Sequence, residues 1–227
     1  SGEGSRFKQV GYTFPKPLID VNGKAMIELV VENLGLDAHY IFVAKESHAA
    51  EYSLNSIFER FVDDFSIVKT EKPTEGAACT SLLAQKYIDN PEPLVIANSD
   101  QYVESGISEG IKYFINNGFD GGLLTFESSH PKWSYARIDK ENNVYEVAEK
   151  KVISNKATVG IYYWKKGSDY VKYANKMIEQ NERVNNEFYI CPVFNFAIKD
   201  GLRIGAFDVT GMWGLGTPED LNNFLSR

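Results

Sequence analysis

The start of the sequence carries residues suited to binding phosphate, namely Gly2, Gly4, Ser5, Arg6 and Lys16. Closely spaced glycines let backbone N–H groups turn towards an anion, and the guanidinium of Arg6 adds a fixed charged fork. Lys16 lies between two prolines, so its ammonium group is a point charge on a stiff loop. The segment lacks the third glycine of a dinucleotide-binding fingerprint and the Gly-Lys-Ser/Thr of a Walker A loop. An ordinary glycine-rich turn is the alternative interpretation.

A carboxylate that follows an apolar run is the second candidate. Leu94–Ala97 predicts a buried strand, and Asp100 comes three residues later. Carboxylates at the carboxyl ends of strands are common ligand positions in open α/β sheets, and Mg²⁺ prefers oxygen ligands. We therefore expect Asp100 to bind a metal, with a turn cap as its alternative role. Two cysteines and three scattered histidines argue against a zinc site or a disulfide framework.

The composition limits the class of protein. The 227 residues carry a formal net charge of −7, which argues against a broad nucleic-acid-binding surface. No apolar run approaches the roughly 20 residues that span a bilayer, and no secretory signal is visible. We expect a cytoplasmic protein that binds neither nucleic acid nor membrane.

Helical and strand patterns alternate along the first half of the chain, which favours a mostly parallel sheet covered on both faces. The second half adds a predicted antiparallel hairpin over 135–149 and a closing helix that begins at Pro218, with Thr217 as its cap. We expect one domain over 1–227. The other predicted helices span 25–36, 47–62, 76–88, 107–116, 169–179 and 187–199, and the other predicted strands span 40–44, 65–70, 122–126, 157–164 and 203–208.

Together, these motifs resemble the nucleotidyltransferases that activate sugar phosphates. The resemblance runs the length of the chain and rests on Gly2-Glu3-Gly4-Ser5-Arg6, Pro15-Lys16-Pro17-Leu18, Glu75-Gly76-Ala77-Ala78, Asn98-Ser99-Asp100, Glu149-Lys150-Lys151, Asn155 with Gly160-Ile161-Tyr162, and Gly214-Leu215-Gly216-Thr217-Pro218. It implies an α/β, Rossmann-like fold with a mostly parallel mixed sheet flanked by helices (a GT-A-type core) and a small antiparallel addition in the second half.

The resemblance also implies a reaction and a role for each residue. A phosphate of the acceptor attacks the α-phosphorus of a nucleoside triphosphate, and pyrophosphate leaves. Arg6, Lys16 and Asp100 would be catalytic, with Asp100 holding Mg²⁺. Nucleotide binding falls to Gly2, Gly4, Ser5, Glu75, Gly76 and Ala77, and substrate binding falls to Glu149, Lys150, Asn186 and Glu187. A helix cap at Asn186 and a dipole partner at Glu187 are the alternative roles of the last two.

Two departures from the family pattern affect these expectations. The family's first strand precedes the glycine loop, so we expect a native strand to be missing before Ser1. A second metal-binding Asp of the family is matched by Gly214. The pattern resembles members encoded with capsule polysaccharide genes, including a cytidylyltransferase that uses phosphoglutamine, so CTP is favoured over UTP and dTTP. The acceptor is expected to be a sugar phosphate or a capsule-precursor phosphate. The sequence leaves open whether the chain forms a homo-oligomer.

Two other functions fit the same core. A glycosyltransferase would consume a nucleotide sugar, but such enzymes usually carry Asp-x-Asp, where this chain has only Asp100. They also lack the pair of Arg6 and Lys16. A non-catalytic nucleotide-binding regulatory protein is supported only by the missing carboxylate at Gly214.

Overall fold

The computed structural model describes residues 5–227, with the backbone alone for Ser5. The helices are α1 (Ser5–Gln9), α2 (Met26–Leu34), α3 (Glu46–Glu51), α4 (Leu54–Phe58), α5 (Ala77–Leu82), α6 (Gln85–Ile88), α7 (Ile107–Asn116), α8 (Gly167–Glu179), α9 (Val193–Lys199) and α10 (Pro218–Leu225). The strands are β1 (Asp20–Val21), β2 (Lys24–Ala25), β3 (Tyr40–Lys45), β4 (Phe65–Thr70), β5 (Leu94–Ala97), β6 (Gln101–Ser105), β7 (Gly121–Glu127), β8 (Tyr135–Ile138), β9 (Val144–Ala148), β10 (Lys156–Trp164), β11 (Ile204–Asp208) and β12 (Thr210–Gly214).

The described residues form two compact units. Unit 1 contains the chain up to Pro73, together with Asn98–Glu104 and Met212–Arg227. Unit 2 contains Thr74–Ala97 and Ser105–Gly211. One domain over 1–227 therefore stays a prediction, as does the strand expected before Ser1.

Helix α2 organises the interior of unit 1. Its apolar side chains recur at helical spacing and are buried on two sides of the helix. Met26 packs in a cluster with Phe7 and Leu215, whereas Ile27 and Val31 pack in another. The second cluster includes aromatic residues of the parallel pair β3 and β4. These contacts anchor both the short segment before α2 and the segment before α10.

A mixed sheet forms the centre of unit 2. Its described strands are ordered β11-β7-β10-β8-β9, and β5 also pairs with β10. Strands β5, β7, β8 and β11 point one way, and β9 and β10 run against them. On β10, Tyr163 stacks on Phe114 of α7, and Trp164 stacks on Phe194 of α9. Because consecutive strand residues face opposite sides, helices cover both faces of this sheet.

The α/β class, the mixed sheet flanked by helices and the antiparallel hairpin β8–β9 are confirmed. Antiparallel pairing extends further than expected, because β10 runs against three of its neighbours. Among the residues from Ser5 onward, every helix is too short or too polar to cross a membrane.

Three predicted helices need correction. The helix over 47–62 is divided into α3 and α4, because Ser53 adopts a left-handed backbone with φ of 49°. The helix over 76–88 is divided into α5 and α6, where Leu83 and Ala84 donate to carbonyls three residues back instead of four. The helix over 187–199 begins only at Val193. Helix α1 and strands β1, β2, β6 and β12 were not predicted.

Candidate active site

In unit 1, the structure brings Lys16 and Asp100 together. Lys16 opens a short 3-10 helix, Lys16–Leu18, in which the N–H of Leu18 donates to the carbonyl of Pro15 at 2.8 Å. The Lys16 ammonium lies 2.5 Å from the Asp100 carboxylate oxygen Oδ2. The side chains of Lys16 and Asp100 are only 19% and 26% exposed. The pair therefore lies in a largely shielded position, where an ion pair is stronger than in open water.

The backbone of the segment before α10 closes around Asp100. The N–H of Leu215 donates to the carbonyl of Asp100 at 2.7 Å. A Cβ added to Gly216 would lie 2.9 Å from Asp100 Oδ2, so the Gly216 backbone lies close to this carboxylate. Downstream, the hydroxyl of Thr217 accepts from the N–H of Asp220 and caps α10, as predicted. The glycine between these residues thus brings a helix start up to the Asp100 carboxylate.

The remaining phosphate-binding candidates are less well defined. Gly2 and Gly4 lie outside the described residues, and only the backbone of Ser5 is described. Arg6 lies on α1 and is exposed. Their predicted roles stay predictions.

Asp100 also determines which kind of metal site unit 1 can offer. No group of three His, Cys, Asp or Glu side chains capable of enclosing a metal occurs within residues 5–227. Mg²⁺ is commonly bound through one or two carboxylates together with substrate phosphates and water. The donor set therefore fits an ion shared with a nucleotide and does not fit a cage made only of protein ligands.

In unit 2, the Glu149 carboxylate lies close to three buried polar side chains. The hydroxyl of Ser134 donates to the Glu149 carboxylate, and the buried side chains of Cys191 and Tyr162 lie close by. Burial raises the pKa of Glu149, and the nearby Glu187 carboxylate adds to this increase, whereas the Ser134 hydrogen bond and the Lys150 ammonium oppose it. Burial also raises the pKa of the Cys191 thiol well above its usual value, which favours the thiol over the thiolate.

Tyr189 connects the other polar side chains of this cluster. The Lys150 ammonium donates to the Tyr189 hydroxyl, and burial together with the nearby Glu187 carboxylate raises the pKa of that hydroxyl. Lys150 has a left-handed backbone with φ of 52°, and its N–H donates to the Trp133 carbonyl at 3.1 Å. The structure thus brings three predicted residues, Glu149, Lys150 and Glu187, into one cluster of mixed charge, which we call the acceptor cluster together with Tyr189 and Ser134.

Asn186 lies in a tight turn, and its role in substrate binding stays a prediction. Asn185 and Asn186 both have positive φ, 49° and 64°, and Val184 and Glu187 exchange two backbone hydrogen bonds around them. This is the geometry of a two-residue hairpin turn. Neither a helix cap at Asn186 nor a helix-dipole role for Glu187 is therefore correct. The carbonyl of Asn186 accepts a hydrogen bond from Arg183 at 3.2 Å.

The segment from Glu75 to Ala78 is fixed against Phe188. Phe188 donates its N–H to the carbonyl of Glu75 at 2.8 Å and accepts from the N–H of Ala78 at 2.9 Å. Gly76 has φ of 136°, and a Cβ there would lie 2.5 Å from the Phe188 nitrogen. Ala77 is the exposed first residue of α5. This predicted base-contacting segment is therefore adjacent to the strand-like stretch that carries Glu187 and Tyr189.

Arg183 stabilises the same junction. Its guanidinium lies 2.5 Å from the Glu75 carboxylate and 4.0 Å from the centre of the Phe188 ring. Sequence reasoning missed Arg183, Tyr189 and Ser134. The Asn185-Asn186 pair was the available signal for a turn here, but nothing local indicates the long-range partners of Ser134 or Tyr189.

Comparison with known proteins places this arrangement in a family. The chain is 24% identical over 227 residues to a low-salt glycan biosynthesis nucleotidyltransferase of Haloferax volcanii, covering 97% of this chain and 62% of that protein. The structure of a nucleoside-diphosphate-sugar pyrophosphorylase from Vibrio cholerae has a TM-score of 0.85 at 24% identity, covering 100% of this chain and 98% of the other. An inositol-1-phosphate CTP transferase from T. maritima has a TM-score of 0.74 at 18% identity, covering 100% and 91%.

The chain spans about half to three fifths of the length of the curated relatives that it matches. The solved structures, at less than 25% identity, share its fold. The model of one family, described as Nucleotidyl transferase, matches residues 1–225. That match covers nearly the whole sequence, and the chain therefore belongs to the nucleotidyl transferase family.

Proposed function

We propose that this chain transfers a nucleotidyl group from a nucleoside triphosphate to a phosphorylated small molecule and releases pyrophosphate. The observation that carries the proposal is the contact of Lys16 with Asp100, which places a cation and a carboxylate suited to phosphate chemistry 2.5 Å apart in a largely shielded position. Membership of the nucleotidyl transferase family supports the same reaction.

The chemistry requires positioning and charge neutralisation more than it requires a general base. A phosphate monoester that attacks the α-phosphorus is already anionic, so no proton has to be removed from it. Lys16 would neutralise charge that develops on the phosphoryl oxygens during transfer. Asp100 would hold Mg²⁺, which when bound neutralises phosphate charge as a Lewis acid. Arg6 would bind the leaving phosphates.

We assign recognition of the phosphorylated acceptor to the acceptor cluster. The carboxylates of Glu149 and Glu187 accept hydrogen bonds from hydroxyl groups, and the Lys150 ammonium offers a charge to the phosphate. Because the Ser134 hydroxyl donates to the Glu149 carboxylate, this carboxylate is already oriented before the substrate binds. A polyhydroxylated phosphate monoester, such as a sugar phosphate, matches this combination of groups.

Base recognition would fall to the segment of Glu75, Gly76 and Ala77. Its backbone is fixed by Phe188, which gives the N–H and carbonyl groups of the segment a defined direction. Among the proteins that this chain resembles, one is named a mannose-1-phosphate guanylyltransferase and another an inositol-1-phosphate CTP transferase. Of these two nucleotides, we propose CTP. A cytoplasmic location and a place in capsule polysaccharide synthesis are also part of the proposal.

Pyrophosphate release measured with each nucleoside triphosphate in turn tests this function. The chain is incubated with Mg²⁺, one triphosphate and a panel of sugar phosphates, and pyrophosphate is detected with a coupled enzyme. We expect release to require both substrates and to be lost in Asp100→Asn. Release at the same rate without an acceptor, or no release with any combination, would overturn the proposal.

A further inference from the structure

The Lys16 ammonium forms an ion pair with the Asp100 carboxylate, which is the group that a divalent cation would need as a ligand. Its Nζ atom lies 2.5 Å from Asp100 Oδ2, and a Cβ placed on Gly216 would lie 2.9 Å from the same oxygen. The ion pair joins residues 84 positions apart, so the tertiary structure of unit 1 creates it. Asp100 therefore already has a cationic partner within the chain itself.

The local charge balance strengthens this reading. Among the described residues of unit 1, Asp100 has a lysine as its ion-pair partner, and no cluster of acidic side chains surrounds it. One carboxylate and one ammonium leave a net charge of zero, so a divalent cation meets little attraction. A nucleoside triphosphate changes this balance, because its phosphate oxygens can accept the Lys16 ammonium and bring Mg²⁺ with them.

We infer that Lys16 competes with divalent metal for Asp100, and that metal reaches Asp100 only together with the nucleotide. This inference rests on the proposed function for the identity of the nucleotide but not for the competition itself. Lys16 then binds two partners one after the other. It pairs with Asp100 in the free chain and with phosphate oxygens when the nucleotide is bound. The chain would bind the metal–nucleotide complex in one step and would bind free metal poorly.

Metal binding to the nucleotide-free chain tests the competition directly. Mn²⁺ binding is measured by electron paramagnetic resonance and by titration calorimetry for the wild type and for Lys16→Met, Lys16→Arg and Asp100→Asn. We expect Lys16→Met to lower the Kd for Mn²⁺ by up to about fivefold, which is the upper end of what an exposed ion pair supplies. Lys16→Arg keeps the cation and should leave the Kd unchanged. Adding Asp100→Asn to Lys16→Met should remove the gain.

A second lysine–aspartate pair provides a matched control. Lys156 lies 2.5 Å from Asp208 in unit 2, and its side chain is 18% exposed, close to the value for Lys16, whereas Asp208, at 54%, is more exposed than Asp100. Lys156→Met removes the same charge from the same kind of pair and should leave the Kd for Mn²⁺ within twofold of wild type. Circular dichroism and thermal unfolding confirm that each variant is folded.

The outcomes separate the inference from the proposed function. An equal Kd in Lys16→Met and wild type, or an equal gain in Lys16→Met and Lys156→Met, would overturn the competition. Tight Mn²⁺ binding to the wild type would overturn it as well. Tighter binding in Lys16→Met alone would support it even if the chain released no pyrophosphate, and in that case only the proposed function would fail.

Discussion

Replacing Gly76 with alanine perturbs the junction between the predicted base-contacting segment and the acceptor cluster. The backbone of Gly76 has φ of 136° and ψ of 176°, a region that is nearly exclusive to glycine. An added Cβ would lie 2.5 Å from the Phe188 nitrogen and 2.9 Å from its carbonyl carbon. Both atoms belong to the backbone, so no side-chain rotation can relieve the contact.

The cost can be worked out from these two effects. Holding a residue with a Cβ in this backbone region costs about 1–3 kcal/mol. Moving Phe188 away also weakens the two hydrogen bonds that it makes with Glu75 and Ala78, each worth about 1 kcal/mol. We therefore expect Gly76→Ala to lower the free energy of unfolding by about 3–5 kcal/mol.

Gly118→Ala separates backbone strain from the contact with Phe188. Gly118 also has positive φ, 67°, but nothing lies within 4 Å of its Cβ position. The Gly118→Ala substitution should lower the free energy of unfolding by only about 1–2 kcal/mol. Urea unfolding followed by fluorescence gives both values. Equal destabilisation by the two variants would refute the argument that Gly76 is required for close packing against Phe188.

Gly76→Ala also tests whether the two recognition segments are coupled. Because Phe188 lies between Glu187 and Tyr189, a shift of Phe188 should move the acceptor cluster as well as the segment around Ala77. We expect the variant, where it is folded, to raise KM for both the nucleotide and the acceptor.

Three further predictions concern single side chains of the two units. Asp100→Asn should lower kcat by about 10²–10³ through loss of the charge that handles metal and phosphate, with far-ultraviolet circular dichroism unchanged; near-wild-type kcat would contradict its role. Tyr189→Phe should raise the acceptor KM roughly threefold to tenfold, because Lys150 loses its hydroxyl partner, and should leave the nucleotide KM unchanged; a change confined to the nucleotide KM would contradict this. Burial raises the pKa of Glu149 in the folded chain. Ionisation of Glu149 therefore lowers the free energy of unfolding as the pH rises through that raised pKa. Glu149→Gln, which can still accept from Ser134, should therefore raise the melting temperature at neutral pH but not below pH 4, while slowing transfer; a variant less stable than wild type at neutral pH would contradict this.

The sequence predicts regular elements well where the apolar period is local and continuous. The boundaries of β4, β5 and α7 match the expectations, and α2 and β10 differ only by a residue or two at their ends. Patterns fail where one residue interrupts a long apolar period. Ser53 adopts positive φ and divides a predicted helix, although its side chain gives no warning of this conformation.

The start predicted too early for the helix over 187–199 has a clearer cause. The apolar spacing after Glu187 fits a helix, but Asn185-Asn186 is a pair that tolerates left-handed backbone and favours a hairpin turn. Pro192 then sets the start of α9 at Val193. The turn signal of Asn185-Asn186 and the position of Pro192 together indicate a later helix start than the apolar period does.

Individual site residues can be nominated from sequence, but their partners cannot. Lys16 and Asp100 are nominated by motif, yet their ion pair depends on how α2 and the segment before α10 pack in unit 1. In unit 2, Tyr189 is one more aromatic residue until the structure brings its hydroxyl to Lys150. These contacts join distant parts of the chain, and local propensity carries no information about them.

Transfer of label from [α-³²P]-labelled nucleoside triphosphate tests the central claim most directly. The chain is incubated with Mg²⁺, each labelled triphosphate and a phosphorylated acceptor, and the products are separated by thin-layer chromatography. We predict a new labelled product that contains the acceptor, forms only when the acceptor is present, and is absent with [γ-³²P]-labelled nucleotide. Label recovered only as nucleoside mono- or diphosphate, or label from the γ-position in the acceptor product, would contradict nucleotidyl transfer by this chain.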